Sequence, residues 1–208
     1  MDEILRWLAE WRGIQPEPGA ELQFEFANFP TGGLGMLVLI GIALAVVGEL
    51  RLGDERLVFA EGDSYLLMDD HKGYYPWIMR WDWVTGGGVD DRGRRVGFNL
   101  TRNDSIDPAR YNENCLWLDG KRHLLPPVRF ARRPDRSPEI WEVRDEAGEV
   151  EVDFVIELDG YVRVNAVIVE SRYRGPFGHV RGTLRGPGGE RVGLDGMFGM
   201  GEDFYLRC

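Results

Sequence analysis

The stretch Val150-Glu-Val-Asp-Phe-Val-Ile-Glu-Leu-Asp-Gly160 decides the fold. Val150, Val152, Phe154, Ile156 and Leu158 fall on one face of an extended chain, and Glu151, Asp153 and Glu157 fall on the other. That period of two marks a half-buried strand, and Asp159-Gly160 supplies a turn that leads into a second strand over Tyr161–Val169. Outward from this point the pattern recurs. His179–Arg185, Gly186-Pro-Gly-Gly and Arg191–Leu194 read as one hairpin, and Cys115–His123 reads as another that turns on Asp119-Gly120. Trp83–Leu100 reads as two strands around Gly86–Gly93, and Glu49–Phe59 as a hairpin turning at Gly53-Asp54. Turn signals every ~8–12 residues predict a mainly β, antiparallel barrel or sandwich. Strands do not alternate with helices, which excludes a dinucleotide-binding α/β fold.

The first residues differ. Ile4, Leu5, Leu8 and Trp11 have helical spacing, so Asp2–Arg12 is expected to form a short N-terminal helix stopped by Gly13. Pro16 and Pro18 make a linker, and strand periodicity begins near Glu21. From Ala27 to Gly48 no residue is charged. A membrane helix needs about 20 apolar residues with cationic flanks. Here the flanks are Glu21, Glu25 and Glu49, and Pro30, Gly32, Gly33 and Gly35 shorten any helix. A buried strand pair or core helix is therefore expected, with a membrane anchor through Leu34–Val47 as the alternative.

The 208 residues suit one domain or two small ones, and 28 glycines with 24 aromatics suit strands and turns. A net charge of -10 argues against a nucleic-acid partner, because phosphate binding needs a basic face. The basic run Arg129–Arg136 reads as a solvated loop. Cys115 and Cys208 have no metal spacing, and His71, His123 and His179 lie far apart, so neither a metal nor another cofactor is expected. The start Met1-Asp-Glu-Ile lacks the basic residues of a signal peptide, which points to a cytoplasmic location.

The densest chemistry lies in Met68–Trp83, which holds a histidine, an arginine, three acids and five large aromatics. A strand over Trp77–Trp83 places Trp77, Met79, Trp81 and Trp83 on one face, with Arg80 and Asp82 opposite. Such an indole wall, with Tyr75 beside it, suits a cavity for an apolar molecule or a packed aromatic core. His71, oriented by Asp70, is a candidate acid or base. Asn99 and Asn114 are candidate anchors for a ligand's polar end, and a partly buried Glu113 is a candidate proton donor. Glu202 is expected near a barrel mouth, paired with Arg80 or another arginine.

These segments resemble a family in their order and spacing. The matching pieces are Gly48-Glu-Leu-Arg-Leu-Gly-Asp, Asp70-His-Lys-Gly-Tyr-Tyr-Pro with Arg80-Trp-Asp-Trp83, and Gly93-Arg-Arg-Val-Gly-Phe-Asn-Leu100. Asn112-Glu-Asn-Cys-Leu-Trp-Leu-Asp-Gly120, Phe177-Gly-His-Val-Arg-Gly182 and Asp195-Gly-Met-Phe-Gly-Met-Gly-Glu-Asp-Phe204 follow. Over residues 48–208 the chain is similar to DUF2804, a family of domains of unknown function. The resemblance implies a lipocalin-like barrel related to the carotenoid hydratase and Diels–Alderase group, whose members carry two such barrels and bind or transform hydrophobic small molecules. Residues 1–47 would then replace most of a first barrel, which also raises the expectation of a homodimer.

The leading expectation is a protein that binds a hydrophobic small molecule against Trp77, Trp81 and Trp83. Arg80, Asn99, Asn114, Tyr75 and Glu202 would complete the site. The alternatives are a lyase or isomerase acting on a terpenoid or polyketide-like substrate through His71, Asp70 or Glu113, and a membrane-anchored interaction module.

Overall fold

The computed structural model describes residues 21–31, 34–44, 48–59, 64–73, 76–103, 107, 109, 112–166 and 168–208. Among them are strands but no helix. The expected helix over Asp2–Arg12 and the site candidate Tyr75 lie outside the described residues.

Strands β1 (Glu21–Thr31) and β2 (Leu34–Leu44) pair antiparallel from Glu21↔Leu44 to Thr31↔Leu34. The described part of the uncharged stretch up to Leu44 is thus a strand pair, and no helix among the described residues is long and apolar enough to cross a membrane. A hairpin of β3 (Gly48–Leu52) and β4 (Glu55–Phe59) follows and turns at Gly53-Asp54. Strand β5 (Tyr65–Gly73) then returns to pair with β2, so the three-stranded sheet joins residues on both sides of position 47.

The main sheet begins with β6 (Ile78–Val89), β7 (Arg95–Asn103), β8 (Cys115–Leu118) and β9 (Lys121–Leu124), each paired with the next. It continues with β10 (Arg129–Arg133), β11 (Ile140–Arg144) and β12 (Val150–Leu158). The remaining strands are β13 (Tyr161–Ala166), β14 (Val169–Arg174), β15 (Phe177–Arg185), β16 (Arg191–Gly193) and β17 (Met197–Arg207). The sheet order is β10-β11-β12-β15-β17-β6-β7-β8-β9, with β16 beside β15 and the β13–β14 hairpin joined to β17. The two ends of this path, β9 and β10, are consecutive in the chain. Leu125 and Val128 between them are buried in the core, so the antiparallel sheet curls into a half-barrel.

Two expected hairpins differ. The glycines Gly86–Gly88 continue β6, and the turn comes later, where Asp90 Oδ1 accepts from the amides of Arg92 and Arg94. Gly86 has to be glycine because a Cβ there would lie 2.6 Å from the Phe198 carbonyl oxygen and 3.0 Å from Phe98 Cζ. Strand β12 also does not pair with β13. It pairs with β15, and a bulge between Ile156 and Leu158 shifts its register, while β13 swings out to pair with β14.

Residue parity separates the faces of the sheet. Val84, Phe98, Leu100, Trp141, Val152, Phe154, Val180 and Leu184 point inward and form one buried cluster with Trp141 and Phe154 in an edge-on contact of 5.9 Å. Burial of each large side chain contributes roughly 1.5–3 kcal/mol. The strand quoted first supplies four members of the whole cluster, Val150, Val152, Phe154 and Ile156, whereas Leu158 beyond the bulge is exposed.

Candidate functional site

The apolar interior ends abruptly along β6, β17 and β14. In cross-strand register, Val84 faces Gly201, and the next inward-facing row is Arg102, Asp82, Asp203, Arg174 and Tyr161, one residue from each of β7, β6, β17, β14 and β13. The row beyond it is Arg80, Tyr205, Arg172 and Arg163. Strand parity therefore places both rows on the concave side of the half-barrel, above the core. They line a cleft of about 350 Å³, which Arg132 enters from β10.

Six arginines meet only two aspartates in this lining. Asp82 is buried, and its carboxylate accepts from Arg102 Nε at 2.7 Å and is ion-paired with Arg132. Arg132 also reaches Asp203 at 3.3 Å. Below them Arg174 donates to both Glu139 oxygens, at 3.0 and 2.8 Å, and to both Asp159 oxygens at 2.8 Å. Hydrogen bonds to Asp159 and Glu139 raise the Arg174 pKa, and the same guanidinium holds both carboxyls below their usual range. Arg132 and Arg174 lie over the fully buried Trp141 ring at 5.0 and 5.5 Å, so Trp141 closes the core beneath the two arginines that floor the cleft.

The outer row is different. Tyr205 sits between the guanidinium of Arg172, 4.1 Å from its ring centre, and that of Arg80 at 5.2 Å. Arg172 Nε meets Glu170 at 3.3 Å. Among the described residues, neither Arg80 nor Arg163 meets a carboxylate.

The expected site residues are divided between opposite faces. Met79, Trp81 and Trp83 share the outer face of β6, opposite Arg80 and Asp82, while Trp77 precedes the strand and is exposed. Trp81 Nε1 and Tyr173 Oη donate to Glu202 at 2.8 and 2.9 Å, and Phe204 packs on Trp81 at 4.1 Å. Glu202 therefore does not pair with Arg80, which lies across the sheet. Burial and then the Glu202 charge raise the Tyr173 pKa.

The amides are held by the fold. Buried Asn99 accepts from Trp83 Nε1 and donates to the Glu113 carbonyl at 2.9 Å. Asn114 accepts from the Thr101 amide at 2.7 Å and donates to the Pro126 carbonyl at 3.0 Å. Glu113 is buried beside them. Asp70 and His71 are on β5, opposite Leu39 and Val38.

Of the residues that line the cleft, the sequence reading singled out Arg80 and Trp81, the latter with its indole nitrogen bonded to Glu202. Arg129–Arg136 does not form a loop throughout, because Arg129–Arg133 is edge strand β10, which turns Arg132 inward. The available signal was the alternation Tyr161-Val-Arg163 and Arg172-Tyr-Arg174, which puts polar residues at the period of a strand face. Among the described residues, no group of three His, Cys, Asp or Glu side chains is placed to hold a metal ion.

No curated protein and no solved structure matches the chain. A model of a domain of unknown function, DUF2804, matches residues 41–207, which include the half-barrel and every arginine of the cleft. The chain belongs to the DUF2804 family.

Proposed function

We propose that the protein binds a small organic molecule in the concave cleft of its half-barrel, as a lipocalin-like carrier or sensor does. The observation that carries this reading is the change along the inner face, from close-packed Val84, Leu100, Phe154 and Trp141 to an open 350 Å³ space walled by arginines and tyrosines. That volume is at the lower end of small-molecule pockets. The hydrophobic part of the ligand would lie against Tyr161 and Tyr205 and the flat guanidinium faces, which stack with planar groups. This relocates the hydrophobic ligand expected against Trp77, Trp81 and Trp83, since those indoles are exposed or engaged on the other side of the sheet.

Titration with the neutral fluorophore 1-anilinonaphthalene tests the reading. Saturable fluorescence enhancement is expected, and it should fall at least tenfold in affinity when exposed Tyr161 and partly exposed Tyr205 are both replaced by alanine. Absence of saturable binding, or affinity unchanged in that double variant, would overturn it.

A further inference from the structure

The outer row of the cleft has a property that the inner row lacks. Arg102, Arg132 and Arg174 are each committed to carboxylates that are buried or half-buried in the wall. Arg163 and Arg172, by contrast, stand directly opposite each other on β13 and β14, and Arg80 flanks the same Tyr205 ring from β6. Like charges placed directly across a strand pair destabilise a sheet, by roughly 0.2–1 kcal/mol for each pair. Neutralising partners are abundant in this chain, with 35 acidic residues against 25 basic ones, yet among the described residues the carboxylate that meets this row is Glu170, which lies one row further out, opposite Asn165. A three-strand cluster of guanidiniums with so little local compensation is a ready-made anion receptor, since guanidinium forks match the geometry of carboxylate, sulfonate and phosphate oxygens. The positive mouth would also draw anions toward a protein whose overall charge repels them.

Resting on the cleft as the ligand site, we propose that the ligand is an amphipathic anion. Its charged oxyanion group is held by Arg80, Arg163 and Arg172 around Tyr205, and its flat apolar part lies toward Tyr161. The committed arginines Arg102, Arg132 and Arg174 shape the wall beneath. Arg80 and Arg163 are the selectivity residues, because among the described residues they have no carboxylate to give up when the ligand arrives.

The test pairs two probes that share one body, neutral 1-anilinonaphthalene and 8-anilinonaphthalene-1-sulfonate, titrated against the full chain at low and at 0.5 M salt. The sulfonate is expected to bind at least tenfold tighter than the neutral probe at low salt, with the advantage shrinking as salt is added. In the double variant Arg80→Gln with Arg163→Gln the advantage should disappear while neutral binding persists. A control double variant, Lys121→Gln with Arg92→Gln, removes two exposed cations outside the cleft and should keep the advantage. Neutral binding with no sulfonate advantage, or an advantage that survives Arg80→Gln/Arg163→Gln, would overturn the anion inference alone. If neither probe binds, the cleft reading falls with it.

Discussion

Arg132 on β10 is ion-paired with Asp82 on β6, across the concave face of the sheet, with β11, β12, β15 and β17 lying between them in the strand order. The pair ties one edge of the curled sheet to its middle. Arg102 grips the same carboxylate from the neighbouring strand β7, so Asp82 bridges two guanidiniums.

Replacing Asp82 by alanine is expected to lower stability by about 1–3 kcal/mol. Full burial would put the cost higher, but both guanidiniums retain access to water, which lessens it. Urea unfolding followed by tryptophan fluorescence checks this. A change within experimental error would show that the tie contributes nothing to closure of the half-barrel.

The Glu139–Arg174 contact makes stability depend on acid. Glu139 titrates below its ordinary value of 4.5 in the folded chain because Arg174 donates to it, against an opposing effect of burial. Its stabilisation is therefore complete above the unfolded pKa and is lost as pH falls through the folded one. The variant Glu139→Gln should be less stable than the parent by about 1–2 kcal/mol at pH 7, with the two converging below pH ~4. A gap that stays constant from pH 7 to pH 3 would rule out this linkage.

Gly201 on β17 packs under the cleft floor. A Cβ there would come 2.8 Å from Trp141 Cζ3 and 3.0 Å from Phe154 Cε1, both in the closed core. The change Gly201→Ala should therefore cost about 1–3 kcal/mol through overpacking. Thermal denaturation reads the effect, and an unchanged midpoint would mean that the floor yields without penalty.

Asn99 is expected to serve the fold rather than a ligand. It joins the Trp83 indole to the Glu113 carbonyl in a fully buried position, so Asn99→Ala leaves a donor and an acceptor unsatisfied, at about 2–4 kcal/mol. The surviving folded fraction should bind 1-anilinonaphthalene with the parent's affinity. A specific loss of affinity without loss of stability would return Asn99 to the binding site.

Cys115 is buried and Cys208 is exposed, and both are free thiols. A thiol reagent should label one cysteine per chain quickly under native conditions and the second only after denaturation. Two fast thiols would contradict the burial of β8.

Much of the fold was legible because strand periodicity is a local property. The alternation of Val150, Val152, Phe154 and Ile156 with acids states the buried face directly, and Asp119-Gly120 and Gly53-Asp54 mark their turns without help from distant residues. The same rule separated Trp81 and Trp83 from Arg80 and Asp82. It did not say which of the two faces is concave, since that depends on how the sheet curls. Only the tertiary structure decided that β12 leaves its neighbour β13 to pair with β15, that Arg132 reaches Asp82 across the interior, and that Arg80, Tyr205, Arg172 and Arg163 fall in one row. The cleft arginines come from β6, β7, β10, β13 and β14, which are scattered along the sequence and are brought together by hydrogen-bonded register and curvature. A chain can announce its strands residue by residue. Which charged rows will share one concave wall depends on non-local pairing, and no window of the sequence contains it.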